Sequence, residues 1–413
     1  SLTEAEDALR DMYGNIAQYK YHLLTKPNIK MSVDREAAFR RYGLDTANVA
    51  QAKYVIPYLG DITTDISRLG KQGLNLGNVL SLDILANSVK NSFDRPIYFA
   101  STVPSSYYLG LTPFMGSTGM AMEVTPFATP SVSPTVDKAY ENIMGKFRWG
   151  GLDGDNPAGL YLDETVRRMV SSTRSGIFST ARDLINSGEA PASAWAVEHA
   201  RKTGAPVPAT RADMARNLLQ LMETKLPAEA AVYDGYLPVY MAEAYYDLYL
   251  QSHNPADLAA AEAVLDANMP RYAQLVRYAQ SLTPSQLALL GGSELNGLQY
   301  LGAAIAMQNR IAIIRALEKN PEANAEIIDV WGHRPSYDAN MRSYPLIYVD
   351  GWSEDELRGH LDQFSGATRN VVEYALMTLD AHRAAGIDPM ALSNKWMTEY
   401  GISAPAWNQL LRY

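Results

Sequence analysis

The sequence predicts an α+β protein, mainly α, with a small mixed α/β N-terminal domain followed by an α-solenoid. Three observations support this. Residues 97–103 form a short run of aromatic and β-branched residues between Pro96 and Pro104, and proline is tolerated at the start of a strand but not at its centre. Met120, Met122 and Val124 alternate with Ala121, Glu123 and Thr125, the period-two pattern of a strand with one face covered. From residue 135 on, nearly every segment repeats its apolar residues at helical spacing. The expected division is a mixed domain over 1–134, a helical domain over 135–320 and a helical extension over 321–413.

In chain order, 1–20 reads as a helix with Leu2, Leu9, Met12, Ile16 and Tyr19 on one stripe. Residues 29–33 suit a strand. Asp34 caps a helix that Gly43 stops. Residues 60–77, with four glycines, read as loop. Asn78 is the expected cap of a helix carrying Leu82, Leu85, Ala86 and Val89, which should pack on the strand at 97–103. Residues 104–118 form a crossover with room for one helical turn, and 128–134 is a linker by composition.

The next helix carries Ala139, Ile143 and Phe147 and runs to Trp149. A long helix over 164–187 places Val166, Met169, Val170, Thr173, Ile177, Ala181 and Leu184 on one face, with Gly188 as its stop. Further helices fall near 191–203, 211–225, 235–251 and 256–268, the last started by Asn254-Pro255. Thr283 and Gln286 form a capping box, with Pro284 first in the helix and Leu282 placed to staple Leu287. A helix over 294–319 contains Gly297 and Gly302, each costing about 1 kcal/mol unless another helix packs closely there. Residues 330–352 look irregular. Ser353 and Glu356 form a second capping box, and helices near 367–385, 389–400 and 405–412 follow. Helix pairs with short turns suggest tetratricopeptide-like packing, although no strict 34-residue recurrence is present.

Of the 413 residues, 47% are hydrophobic and 20% charged, with a net charge of −9. No basic cluster runs along the chain, which argues against nucleic acid as a partner. The chain has no cysteine, which excludes disulfides, thiolate catalysis and cysteine-ligated zinc. Its longest apolar runs fall far short of the roughly 20 residues that cross a bilayer. The chain begins at Ser1 without an initiator Met or a signal-peptide pattern, and reads as a fragment of something longer. Tyrosine outnumbers phenylalanine 26 to 8, which suits half-wet helix packing.

No chemistry-bearing motif rises above its simpler reading. His360 with Asp362 and Asp380 with His382 would make a metal set only if neighbouring helices brought them together; surface residues are the simpler reading. Asp153-Gly-Asp155-Asn156 resembles the start of a calcium loop but lacks the sixth-position glycine, so an Asx-rich turn is preferred. Gly150-Gly151 and Gly291-Gly292 lack the strand and helix context of a nucleotide loop. Tyr233, Tyr236, Tyr240 and Tyr249 share a helix face, either as packing surface or as an aromatic groove for a peptide or sugar. No catalytic residue and no cofactor is assigned.

Three stretches carry a family resemblance: Arg95-Pro-Ile-Tyr-Phe-Ala-Ser-Thr-Val-Pro with Tyr108-Leu-Gly-Leu after it, Tyr140-Glu-Asn-Ile-Met-Gly-Lys-Phe-Arg-Trp-Gly-Gly-Leu-Asp153, and Tyr161-Leu-Asp-Glu-Thr-Val-Arg-Arg-Met169. Together they resemble a bacterial membrane family of GT-C-type glycosyltransferases akin to protein O-mannosyltransferases. The resemblance is strong over 78–190, looser over 1–77 and 190–320, and absent after 320. In such proteins an N-terminal membrane block carries the catalytic acid, and a soluble extracytoplasmic region with tetratricopeptide-like helices follows. This chain resembles that second region alone. The resemblance therefore implies a chain without catalysis of its own, on the periplasmic side of the inner membrane. Its implied partners are its own membrane block and an acceptor protein or peptide. The alternative is a free-standing exported solenoid adaptor that binds peptides.

Overall fold

The computed structural model describes residues 28–65, 76–130, 133–188, 190–283, 285–286, 297–333, 353–388 and 391–401. The fold is α+β and mainly α, with small antiparallel sheets towards the N-terminus followed by helices. It forms two compact units, Ser1–Val232 and Tyr233–Tyr413.

In the first unit, β1 (Asn28–Met31) pairs antiparallel with β2 (Ile62–Asp65). Asp34 caps α1 (Arg35–Tyr42) through the Ala37 amide, and Gly43 ends it at φ 59°. After α2 (Val49–Tyr54), β2 occupies part of the stretch expected to be loop. Ile62 and Thr64 are the buried pair of this strand, a two-residue alternation too short to stand out among four glycines. α3 (Leu76–Lys90) begins before Asn78, so Asn78 lies within the helix rather than capping it.

β3 (Tyr98–Ala100) and β4 (Met115–Ser117) flank β5 (Ala121–Val124) in one antiparallel sheet. The expected strand pair is therefore present, but β3 stops at Ala100, where the chain turns and the Val103 amide bonds the Ala100 carbonyl. The crossover holds two single 3₁₀ turns and then β4. The Leu82, Leu85, Ala86 and Val89 stripe is buried with Met31, Ile62, Phe93, Phe114 and Val124, and with Ile97 and Phe99 against it. Gly110 sits at φ +75°, and a Cβ there would lie 2.6 Å from the Thr64 hydroxyl; only glycine fits so tight a turn.

The helices of this unit are α4 (Val136–Gly145), α5 (Glu164–Asn186), α6 (Ala194–Thr203) and α7 (Arg211–Lys225). α4 ends at Gly145, a turn before Trp149, and Phe147 instead packs beside the Trp149 ring. α5 packs on α7 and buries Ile177, Ala181 and Leu184, but Val166 and Met169 in its first turns are exposed. Arg174 on α5 is buried. Its guanidinium donates to the carbonyls of Leu226, Pro227, Ala231 and Val232.

The second unit stacks α8 (Leu237–Ser252), α9 (Pro255–Ser281) and α10 (Gly297–Leu317), followed by α11 (Pro321–Ile327), α12 (Glu354–Gly359), α13 (Gly366–Ala385) and α14 (Ala391–Tyr400). α9 runs to Ser281 and not to 268, with Pro270 inside it. A proline removes one ladder bond; here packing against α8 and α10 carries the helix through. Gly297 answers the question its position raised, because a Cβ there would lie 2.6 Å from the Leu275 Cβ. Both capping boxes form: Thr283 and Gln286 bond reciprocally, as do Ser353 and Glu356. The stripe at 1–20, Leu287, the 334–352 aromatics and the helix near 405–412 lie outside the described residues.

Candidate functional site

The alternation at 120–125 predicts an outward-facing Glu123. The structure instead buries it, at 1% exposure, with Thr125, Phe127 and Val124 buried alongside. Both faces of this part of β5 are covered, so its alternation does not separate core from solvent. A buried carboxylate needs partners, and two helices supply them. Arg41, in the last turn of α1, reaches one carboxylate oxygen at 3.4 Å. Lys138, in the first turn of α4, reaches the other at 2.9 Å, and the Tyr98 hydroxyl donates to that same oxygen at 3.1 Å. Burial alone would lower the Lys138 pKa, but the hydrogen bonds to Tyr98 and Glu123 hold the ammonium above its ordinary value. Glu123 therefore ties α1 and α4 to the sheet.

The residues next to these two cations face a different space. Tyr42 and Asp137 line an open cleft of about 100 Å³ within the first unit, together with Gln51, Tyr54, Ser187 and Arg211. The Arg211 guanidinium bonds Asp137 Oδ2 at 2.7 Å and the Ser187 hydroxyl at 3.2 Å. Desolvation raises the Asp137 pKa, and Arg211 only partly offsets this. The other carboxylate oxygen, Asp137 Oδ1, is buried and makes no hydrogen bond. The Tyr42 hydroxyl is in the same condition. Burial pushes the phenol well above its usual pKa, and the neighbouring Arg41 side chain only partly offsets this. The Tyr42 ring is fixed by edge packing on Phe127 at 5.1 Å.

The four tyrosines singled out from sequence do not share one surface. Tyr236 and Tyr240 are neighbours at 5.9 Å, with Tyr300 against Tyr236 at 4.6 Å, and Tyr240 is exposed. Tyr233 and Tyr249 are buried, and the Tyr249 hydroxyl donates to the Glu318 carboxylate. Asp153 pairs with Lys225 at 2.8 Å, and Asn156 caps the Gly159 amide, which is the Asx-rich turn. His382 is fully buried, and Asp380 accepts from Arg358 and Arg383. These acids and histidines do not gather: no group of three or more metal-ligating side chains occurs among the described residues. Nor is any helix there long and apolar enough to cross a membrane.

The Tyr42–Asp137 cleft escaped the sequence reading because its walls come from five separated segments. The separate Glu123 cluster carried one local signal, an acid inside a mostly apolar strand run.

The fold and the cleft define the class first: an α+β protein whose sheet-bearing segment carries a polar cleft. More particularly, the family model described as TMEM260-associated domain 2 matches residues 2–143, which include β1 to β5, Glu123, Tyr42 and Asp137. No curated protein and no solved structure matches the chain.

Proposed function

We propose that this chain is the extracytoplasmic region of a membrane glycosyltransferase of the protein O-mannosyltransferase-like kind. In this reading it binds acceptor protein or a partner and does not itself transfer sugar. The observation that carries the reading is the match of residues 2–143 to TMEM260-associated domain 2, which overlaps two of the three stretches that resemble such enzymes. The described residues include helix stacks of the kind that offer extended binding surfaces. The chain would sit on the periplasmic side of the inner membrane, next to its own membrane block.

The test is sugar transfer from a lipid-linked donor to an acceptor protein. The 413-residue chain alone is expected to show none, and the protein joined to its membrane block is expected to show transfer. Transfer by the isolated chain would refute the proposal. So would a parent reading frame that encodes no membrane helices, which would favour the exported peptide-binding adaptor.

A further inference from the structure

We infer that the outer edge of β3 is a docking site for an extended, acidic segment of another protein, added to the sheet as a further strand. The inference rests on the backbone of the sheet and not on the function proposed above, and its test involves no sugar transfer. Strand β5 is the middle of its sheet, so β3 and β4 are the two edges. The β4 edge is covered: the Thr135 hydroxyl donates to the Ser117 carbonyl at 2.6 Å, and a Cβ on Gly116 would meet that same hydroxyl. The β3 edge is open. The Val124 amide donates to the Ile97 carbonyl and the Ser101 amide to the Met120 carbonyl, so residues 97, 99 and 101 face β5. By alternation the backbone groups of Tyr98 and Ala100 point away from it. The Ala100 carbonyl accepts from the Val103 amide as the chain turns. The Tyr98 amide, the Tyr98 carbonyl and the Ala100 amide have no partner among the described residues, and both residues are exposed. In an added antiparallel strand, the residue opposite Tyr98 would make two bonds and a residue two places away would accept the third.

The two faces of this edge differ and select the side chains that fit. Phe99 lies on the core face, packed on the buried cluster and with its ring 5.2 Å from that of Tyr108. An added strand would extend this face with apolar side chains. Tyr98 lies on the other face, with the Lys138 ammonium 2.5 Å from its hydroxyl and 5.0 Å from its ring centre. Lys138 is half exposed, and with Arg41 it outnumbers the single carboxylate of Glu123. A carboxylate opposite Tyr98 would meet that surplus positive charge. The same surplus opposes a second copy of the chain. Two β3 edges paired about Tyr98 would set both surplus charges on one face of the joined sheet, one beside each Tyr98 ring. Pairing centred on Phe99 instead would need the Ala100 carbonyl, which is already bonded. Pro96 and the turn after Ala100 keep the edge short, which limits open-ended stacking of sheets and leaves room for one short segment.

The experiment is fluorescence anisotropy of a labelled peptide, Thr-Val-Glu-Val-Glu-Val-Thr, titrated with the full 413-residue chain. Its valines match the Phe99 face and its glutamates the Tyr98 face. Saturable binding is expected, and a peptide with Lys in place of both Glu is expected to bind about tenfold more weakly. Only the amides on the glutamate side of the peptide point at β3. N-methylation of both glutamates is therefore expected to weaken binding about tenfold, and N-methylation of the first and last valines to leave it within about twofold. Ala100→Pro removes an outward amide without touching a bond to β5 and is expected to weaken binding about fivefold. Circular dichroism and thermal unfolding confirm that this variant is folded, and the N-methyl peptides are read on the wild-type chain whether it folds or not. No saturable binding by the folded wild-type chain would overturn the proposal. So would equal sensitivity to the two N-methylation patterns, an affinity unchanged in folded Ala100→Pro, or a Lys peptide that binds as well as the Glu one. Self-association of the chain that the peptide reverses would give the edge to a second copy, and would overturn it too.

Discussion

The sheet-bearing segment of the first unit and the helix stack of the second solve the same problem with opposite resources. Strands β1 to β5 are three or four residues each, too short for their ladder bonds alone to fix neighbouring helices. There a buried carboxylate gathers side chains from distant elements, Arg41 and Lys138 on Glu123. In the second unit α8, α9 and α10 span 16, 27 and 21 residues and satisfy their own backbones. Polar side chains there serve turn carbonyls instead. Tyr246 and Arg310 bond Gly332, Tyr272 bonds Gly235, and Arg271 bonds Tyr233. This is also why the chain is rich in tyrosine and not phenylalanine: the ring fills the helix interface while the hydroxyl reaches a carbonyl at its edge. Short elements borrow charge to fix their neighbours, whereas the long helices use charged side chains such as Arg271 and Arg310 to hold the turns beside them.

The contrast is broken most strongly at Arg174, which applies the turn-binding device within the first unit. Arg174→Met leaves four carbonyls without this donor, those of Leu226 and Ala231 buried, and is expected to destabilise by about 4 kcal/mol in urea unfolding, at about 1–3 kcal/mol per orphaned buried group. Glu123→Gln keeps the shape but removes the charge between Arg41 and Lys138; about 2–3 kcal/mol of destabilisation is expected in the same measurement. A loss below about 1 kcal/mol would show that the sheet does not need its ion cluster. Gly297→Ala tests the close helix approach of the second unit. Although Ala favours helix by about 1 kcal/mol, a net loss of about 1–2 kcal/mol is expected because the Cβ meets Leu275.

Two titrations give smaller effects. Desolvation raises the Asp183 carboxyl to about 6. An acid whose pKa is raised in the folded state favours folding while protonated, and that contribution is lost as pH climbs from about 4 through about 6. Asp183→Asn should therefore stabilise by about 1–2 kcal/mol at pH 8 and by nothing at pH 3. In the second unit, hydrogen bonds from Arg383 and Arg358 hold Glu354 down at about 2. A depressed acid contributes above its unfolded pKa and loses that contribution as pH falls through the folded one. Glu354→Gln is expected to cost under about 1 kcal/mol near neutrality, since the network is largely solvated, with the difference vanishing by pH 2.

Local signals were legible and long-range ones were not. The caps at Asp34, Asn254 and Ser353, the stop at Gly43, and the α3 stripe could be read because neighbouring residues decide them. Thr210 with Asp213 is a capping box of the same kind that went unread. The run of α9 past Pro270 was hidden because α8 and α10 decide it. So was the burial of Glu123, whose partners stand 82 and 15 residues away. The cleft is legible only in three dimensions, since Tyr42, Asp137 and Arg211 carry no shared spacing.

The grip of Arg174 on residues 226–232 also dictates where the first unit ends as a folding entity. Those carbonyls lie beyond the last turn of α7, so a truncation at Lys225 would strand a buried guanidinium. One made after Val232 would keep the four carbonyls of this tail that it holds. Domain dissection of this protein should respect that seven-residue tail and not the visible end of the helix.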